Sequence, residues 1–288
     1  MTAADRPYRS VLYIPGSRER ALEKARGLPV DAIIFDLEDA VAPDEKANAR
    51  KTLSDALAHG GYGARARIVR VNGADTPWGA DDLAAISTTD ADAILLPKVN
   101  SPADVAEVAD MLDVAGSRAA IWAMMETPEG ILNAAAIAQA PRMGGFVMGT
   151  NDLAKDLGCR NRADRLPMMF ALQACLLAAR AHGIPCIDGV YNAFKDEAGL
   201  TAECEQGRDL GMDGKTLIHP AQVAIANTVF APTEEDADLA RRQIEAFDAA
   251  KANGQGVAVL DGRIVENLHV DTARKTLAKL EAIATLEG

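Results

Sequence analysis

Two carboxylates stand where this chain could do chemistry: Glu126 closes the apolar run IWAMME, and Asp152 closes FVMGTND. If the two runs are neighbouring strands, both acids arrive at the same edge of one sheet. Hard oxygen ligands without clustered His or thiolate select Mg²⁺ or Mn²⁺ rather than zinc, with waters and substrate oxygens completing the octahedron. The competing reading makes them helix caps or solvated acids at turns. A denser group, Asp36, Glu38 and Asp39, lies in DLED at the end of AIIF. Such crowding of like charge is costly unless a cation or an Arg or Lys offsets it. That suits an outer ring of acids around the same metal, although Asp39 alone could cap the following turn. Arg70 ends IVR, and its fork suits a planar carboxylate or an acid carrying a thioester; a salt bridge to DLED is the alternative. Near the N-terminus, Pro15-Gly16-Ser17-Arg18 opens a segment carrying Arg18, Arg20, Lys24 and Arg26. That basic density could receive a phosphorylated ligand, or be a solvated helix face.

These residues need elements to position them, and the apolar runs supply them. VLYIPGS, AIIFDLED, IVRVNG, AILLPK, IWAMMETPEG, FVMGTND, PCIDG and KTLIHP read as eight β-like segments, nearly all ending on polar or charged clusters. The spacers are mostly long enough for a helix, so the pattern is βα repeated, closing as an α/β (β/α)8 TIM barrel. Active sites in that architecture sit at the C-terminal strand ends. There Asp36, Glu38, Asp39, Arg70, Lys98, Glu126, Asp152, Asp188 and His219 are expected to converge. Pro43-Asp44-Glu45, Ser101-Pro102 and Thr127-Pro128-Glu129 read as helix starts, and 166–182 is a periodic helix ended by Gly183.

The barrel is expected over residues 1–230 and a C-terminal extension over 231–288. In the extension a charged helix runs to about Lys251, a hairpin turns at Asp261-Gly262, and a last helix covers about 270–286. This helix-hairpin-helix segment is surplus to a barrel. It either caps an active-site mouth as a lid, its own or a neighbour's, or packs outside as an extra layer.

Composition narrows the function classes. A chain of 288 residues, 49% hydrophobic, can bury a large core. Its net charge of −12 argues against general nucleic-acid or anionic-membrane binding. No run approaches the ~18 apolar residues of a spanning helix, and the N-terminus lacks a signal peptide's apolar stretch. A cytoplasmic enzyme is expected. Cys159, Cys175, Cys186 and Cys204 have no CxxC spacing, which predicts buried reduced thiols.

Taken together, IPGSRERALEK, DLEDAVAPDEK, RVNGADT, LPKV, METPEG, GTNDLA, DGV and GKTLIHPAQV resemble the CitE-like branch of the HpcH/HpaI aldolase family. The resemblance covers essentially the whole chain. Within the branch, WAMMET, MGTNDLAKDLG, DGVYNAFKDEAGL and DGRIVENLH look most like the (S)-malyl-CoA thioesterase group, with malyl-CoA lyases as close kin. It implies Glu126 and Asp152 as Mg²⁺ ligands (Mn²⁺ as a substitute) and Arg70 as the arginine holding the acid part of an acyl-CoA substrate beside the metal. It places Tyr13, Arg18 and Lys24 at CoA-contacting positions, and Asn151, Ile218 and His219 at other substrate contacts. Glu38 and Asp39 match the outer acids. It further implies a homotrimer or homohexamer that exchanges its lids. Many members carry an Asp just after the lid hairpin; Glu266 stands there in this chain, its carboxylate displaced by ~1 Å or more, a scale that can cost ~100-fold in rate. The implied activity is hydrolysis of (S)-malyl-CoA or a similar short 3-hydroxyacyl-CoA acid to malate and CoA. The alternatives are carbon–carbon cleavage of malyl-CoA, β-methylmalyl-CoA or citramalyl-CoA to acetyl-CoA or propionyl-CoA plus glyoxylate or pyruvate, and a non-catalytic CoA-binding or citrate lyase subunit. A serine hydrolase is disfavoured because no GxSxG elbow is present.

Overall fold

The structure is a computed structural model and describes residues 6–287. The chain divides into two compact units, Tyr8–Phe230 and the segment from Ala231 onward together with residues 6–7. In the first, β1 (Ser10–Pro15), β2 (Ala32–Asp36), β3 (Ala66–Arg70), β4 (Ala93–Leu96), β5 (Ala120–Met125), β6 (Met143–Met148), β7 (Cys186–Asp188) and β8 (Gly214–Leu217) pair in chain order as a closed barrel. Every pairing is parallel, and β8 returns to β1. This is the (β/α)8 barrel that the strand pattern predicts.

The strands are apolar on both faces, as in a sheet covered by helices. Along β2, Ala32 and Ile34 point into the barrel with Val11, Ile68, Leu95 and Met124. Ile33 and Phe35 point outward into the cluster shared with the helices, beside Leu12, Val69 and Ile94. Each such fully buried side chain contributes about 1.5–3 kcal/mol. The period of two also aims the chemistry: the next inward position after Ile34 is Asp36, after Ile68 is Arg70, and after Met124 is Glu126. Interior hydrophobes therefore give way to charged groups at one end of the barrel. Lower down, the Trp122 ring meets Tyr8 edge-on at 5.2 Å. Gly145 lets it lie there, because a Cβ at that position would stand 2.7 Å from the indole.

Helix starts follow the sequence signals. Ser101 and Asp104 form a capping box on Pro102–Val114, and the Thr127 side chain accepts from Gly130 N ahead of Pro128–Leu132. Pro43–Glu45 is a single 3₁₀ turn continuing into Lys46–His59. Cys175, Cys186 and Cys204 are buried and Cys159 partly so, all as free thiols; burial pushes Cys175 and Cys204 up to about 12.

In the second unit, Thr233 and Asp236 form a capping box on Glu234–Ala252. β9 (Ala258–Leu260) and β10 (Arg263–Val265) pair antiparallel around Asp261 (φ 50°) and Gly262 (φ 76°), the left-handed pair that a two-residue Asp-Gly hairpin requires. The last helix, Asn267–Glu287, begins earlier than the apolar pattern predicts, because Glu266 N donates to His269 Nδ1 at 3.0 Å ahead of it. Phe247, Ala250, Ala258, Val265 and Val270 give this unit its own core. No helix among the described residues is long and apolar enough to cross a membrane.

Candidate active site

A cleft of about 350 Å³ opens at the C-terminal ends of the barrel strands, and Tyr13, Asp36, Asp39, Arg70, Glu126, Asn151, Asp152 and Ile218 line it. Its organising pair is Asp36 and Arg70, set side by side by the β2–β3 register. Arg70 Nε donates to Asp36 Oδ1 at 2.8 Å and Nη2 to Oδ2 at 2.6 Å. The two Asp36 oxygens also accept from Glu38 N (2.9 Å) and Ala40 N (3.1 Å), folding the DLED loop back over its strand. One edge of the Arg70 fork is therefore occupied from within. Nη1 lies 2.9 Å from Glu38 Oε2 and 3.5 Å from Asp39 Oδ2, so the salt bridge to DLED is real. Beneath the guanidinium, the Tyr13 ring lies 5.0 Å away, and burial pushes its phenol well above the usual range.

The DLED loop is also held from behind. Lys46 Nζ donates to the carbonyls of Leu37 (2.9 Å) and Glu38 (2.7 Å), and Asn72 Nδ2 to Leu37 O (2.8 Å). Asp82, fully buried, accepts from both Asn72 amides and from Arg50 Nε. Lys46, Asn72 and Asp82 were not legible as support in the sequence; only the crowding of DLED hinted that a cation was needed nearby.

Glu126 is 3% exposed, with Oε1 accepting from Lys98 N at 2.8 Å. Burial, then the Glu38 charge, push its carboxyl up to about 8; the Lys98 N–H opposes this and the Asp152 charge adds to it. Glu38 is pushed up to about 7, first by burial, with Arg70 opposing and Asp39 and Asp36 adding. Asp152 sits in the first turn of Thr150–Leu157, the helix after β6. Gly149 precedes that helix and admits Glu126: a Cβ there would stand 2.5 Å from Oε2. Asn151 exchanges amide hydrogen bonds with Asn192, at 2.8 and 3.3 Å; Asn192 lines the cleft too, and the sequence marks it only as part of DGVYNAFKDEAGL, without a role of its own.

Among the described residues no group of three or more His, Cys, Asp or Glu forms a metal cage. The donor set nonetheless fits a hard divalent cation. Glu126 and Asp152 offer two carboxylates on adjacent elements, and a cation between them would offset the burial and the neighbouring acids that raise the Glu126 carboxyl.

The family model described as HpcH/HpaI aldolase/citrate lyase matches residues 9–220, which include all eight barrel strands and every residue that lines the cleft. The chain belongs to the HpcH/HpaI aldolase/citrate lyase family. Within this family it is 65% identical to the (3S)-malyl-CoA thioesterase of Cereibacter sphaeroides, over 98% of each chain. It is 37% identical to the citrate lyase subunit beta of Escherichia coli (strain K12), over 96% of this chain and 94% of that one. Among solved structures, CitE of Mycobacterium tuberculosis, in complex with magnesium, acetoacetate and coenzyme A, superposes with a TM-score of 0.79 at 29% identity, covering 96% of this chain and 99% of that one.

Not every residue expected at the family's mouth gathers there. Asp188, expected to converge on the site, is fully buried and faces away into an ion cluster: Arg165 Nη1 donates to its two oxygens at 2.7 and 2.8 Å, and Lys215 Nζ lies 3.0 Å away. His219 lies at the rim with its ring committed to the turn. Its Nδ1 accepts from Ala221 N at 3.1 Å, and the ring stacks on Phe194 at 4.6 Å. Arg18, Arg20 and Lys24 are exposed at or on the short helix Glu19–Ala25, outside the central cleft. Arg26 leaves that basic set: its Nε donates to Gly60 O, and its guanidinium lies 5.3 Å over Tyr62. Glu266 is exposed in the second unit, just before Asn267–Glu287.

Proposed function

We propose that this enzyme hydrolyses (3S)-malyl-CoA, or a similar short 3-hydroxyacyl-CoA acid, to malate and CoA. The observation that carries the reading is 65% identity to a (3S)-malyl-CoA thioesterase across 98% of both chains. The carboxylate-lined cleft supports it chemically. Glu126 and Asp152 would hold Mg²⁺, with Mn²⁺ as a substitute, and the ion when bound would supply charge stabilisation to substrate oxygens. Arg70 is anchored by Asp36 through Nε and Nη2, so the acyl carboxylate would meet Nη1 by displacing the Glu38 contact there. That exchange would free Glu38 while Asp36 keeps the guanidinium in place. Glu38, pushed up to about 7, is poised near neutral pH to take a proton. In the reaction, water attacks the thioester carbonyl carbon while Glu38 accepts the water's proton. The carbon–sulfur bond then breaks, and the leaving CoA thiolate takes up the proton that Glu38 accepted. Tyr13 supports Arg70 from beneath, while Asn151 and Ile218 line the same cleft. Exposed Arg18 and Lys24 are read as the cations that meet CoA phosphates, and the backbone of the Ile218-His219 turn as a further contact.

Residues 231–288 are read as a lid closing over a neighbouring subunit's site in a cytoplasmic homotrimer or homohexamer, with Glu266 as its carboxylate. The deciding experiment incubates the full chain with (3S)-malyl-CoA and Mg²⁺ and quantifies malate, free CoA, glyoxylate and acetyl-CoA separately. Equal malate and CoA are expected. Stoichiometric glyoxylate and acetyl-CoA with negligible malate would overturn hydrolysis in favour of carbon–carbon cleavage.

A further inference from the structure

Lys98 has a left-handed backbone, φ 50°, a conformation uncommon for residues with a side chain and costly to hold. Its side chain is exposed and bears on the site as a charge that lowers the Glu38 carboxyl, a role that needs no particular backbone angle. The backbone's role does need one: the N–H presented by this turn, just past β4, donates to Glu126 Oε1 at 2.8 Å. On the other flank, just past β6, Gly149 approaches so closely that a Cβ would stand 2.4 Å from Glu126 Cβ and 2.5 Å from Oε2. The carboxylate is thus fixed from both neighbouring strands, by a donor on one oxygen and by bare backbone beside the other. Nothing else about a surface lysine requires a strained turn at this point.

We propose that Lys98 is a positioning residue for Glu126, acting through its strained backbone rather than its ammonium, with Gly149 as the opposite jaw of the same clamp. The inference rests on reading Glu126 as a metal ligand. A hydrogen bond that orients a ligand carboxylate restricts it to geometries a cation can use, and losing such a bond costs about 10–100-fold in metal affinity. Glycine adopts a positive φ without strain, so Lys98→Gly keeps the N–H in place while deleting the charge. Valine is an outlier there, so Lys98→Val strains the turn that carries the N–H and is expected to shift it from Glu126.

The test measures Mg²⁺ binding to the full chain by calorimetry without substrate, with thermal melting alongside. Lys98→Gly is expected to keep the dissociation constant within about threefold of the parent, and Lys98→Val to weaken it about tenfold or more. Gly149→Ala should weaken it on the same scale without touching Lys98, which keeps the inference open to refutation even if the valine variant does not fold. Parent-like Mg²⁺ binding by Lys98→Val and Gly149→Ala would overturn the clamp. A loss in Lys98→Gly as large as in Lys98→Val would overturn the backbone role and assign the effect to the ammonium. A parent chain that takes up no Mg²⁺ would overturn the functional reading and this inference together, whereas parent binding with unaffected variants would overturn the inference alone.

Discussion

At the scale of single residues, Glu126 and Glu38 define a pH dependence with a fixed sign. Glu126 rises from 4.5 to about 8, burial first, and Glu38 from 4.5 to about 7 by the same leading cause. Between those limits the folded chain keeps protons that the unfolded chain has lost. The stability they provide is fully present below about 4.5 and is lost as pH rises through about 7–8. Mg²⁺ competes with these protons, so its stabilisation should run the opposite way. We expect the Mg²⁺-induced rise in Tm, measured against a chelator control, to be larger at about pH 8.5 than at about pH 6. A shift that shrinks with rising pH would contradict the ligand assignment. Glu126→Gln and Asp152→Asn should each lower kcat about 100-fold or more while leaving circular dichroism unchanged. The two acids could be picked out in the sequence because each ends an apolar run. The Asp36 grip on Arg70 was legible only as an alternative, since side-chain pairing across two strands depends on their register.

At the scale of elements, β7 and β8 are joined by charge as well as by backbone. Asp188 and Lys215 are fully buried, Arg165 is 3% exposed, and Glu203 accepts from Lys215 Nζ at 2.7 Å. Burial opposes ionisation of Asp188, but Lys215 and Arg165 outweigh it and hold its carboxyl low. Removing that charge would leave two buried cations with Glu203 as their one shared carboxylate among the described residues. Asp188→Asn should therefore cost about 3–5 kcal/mol in urea unfolding, the range for breaking a buried ion pair from one side. An unchanged midpoint would show the cluster to be solvated. Sequence reading put Asp188 at the mouth because it ends a strand. What it could not see is that Asp188 follows inward-pointing Ile187 and so faces out of the barrel, where Arg165, remote along the chain, holds it.

At the scale of the whole molecule, the prediction concerns the segment from Ala231 onward, which folds around a core of its own. If it serves a neighbouring subunit, a chain ending at Phe230 should keep its barrel, lose activity, and shift toward monomer in size-exclusion chromatography with light scattering. Added Glu266→Asp variants test the reaction: a restored shorter acid should raise the ratio of glyoxylate to malate. A truncated chain that stays active and assembled would refute the lid.

What the sequence determined by itself was everything written in short-range periodicity. Eight apolar runs with helix-length spacers specify the barrel, and Ser101, Thr127 and Thr233 mark helix starts through local hydrogen bonds. The hairpin is fixed by Asp261-Gly262, because few other residue pairs tolerate two positive φ values in succession. Strand-end position also nominated Glu126, Asp152 and Arg70. The tertiary structure decided which strand-end groups meet and which are diverted: Asp36 onto Arg70, Asp188 onto Arg165 and Lys215, His219 onto its own turn. It also revealed the groups that hold the acids in place, Lys46, Asn72, Lys98 and Gly149. The physical reason is range. Periodicity and caps are set by neighbours a few residues apart, whereas burial, register and charge pairing arise only when distant segments come together.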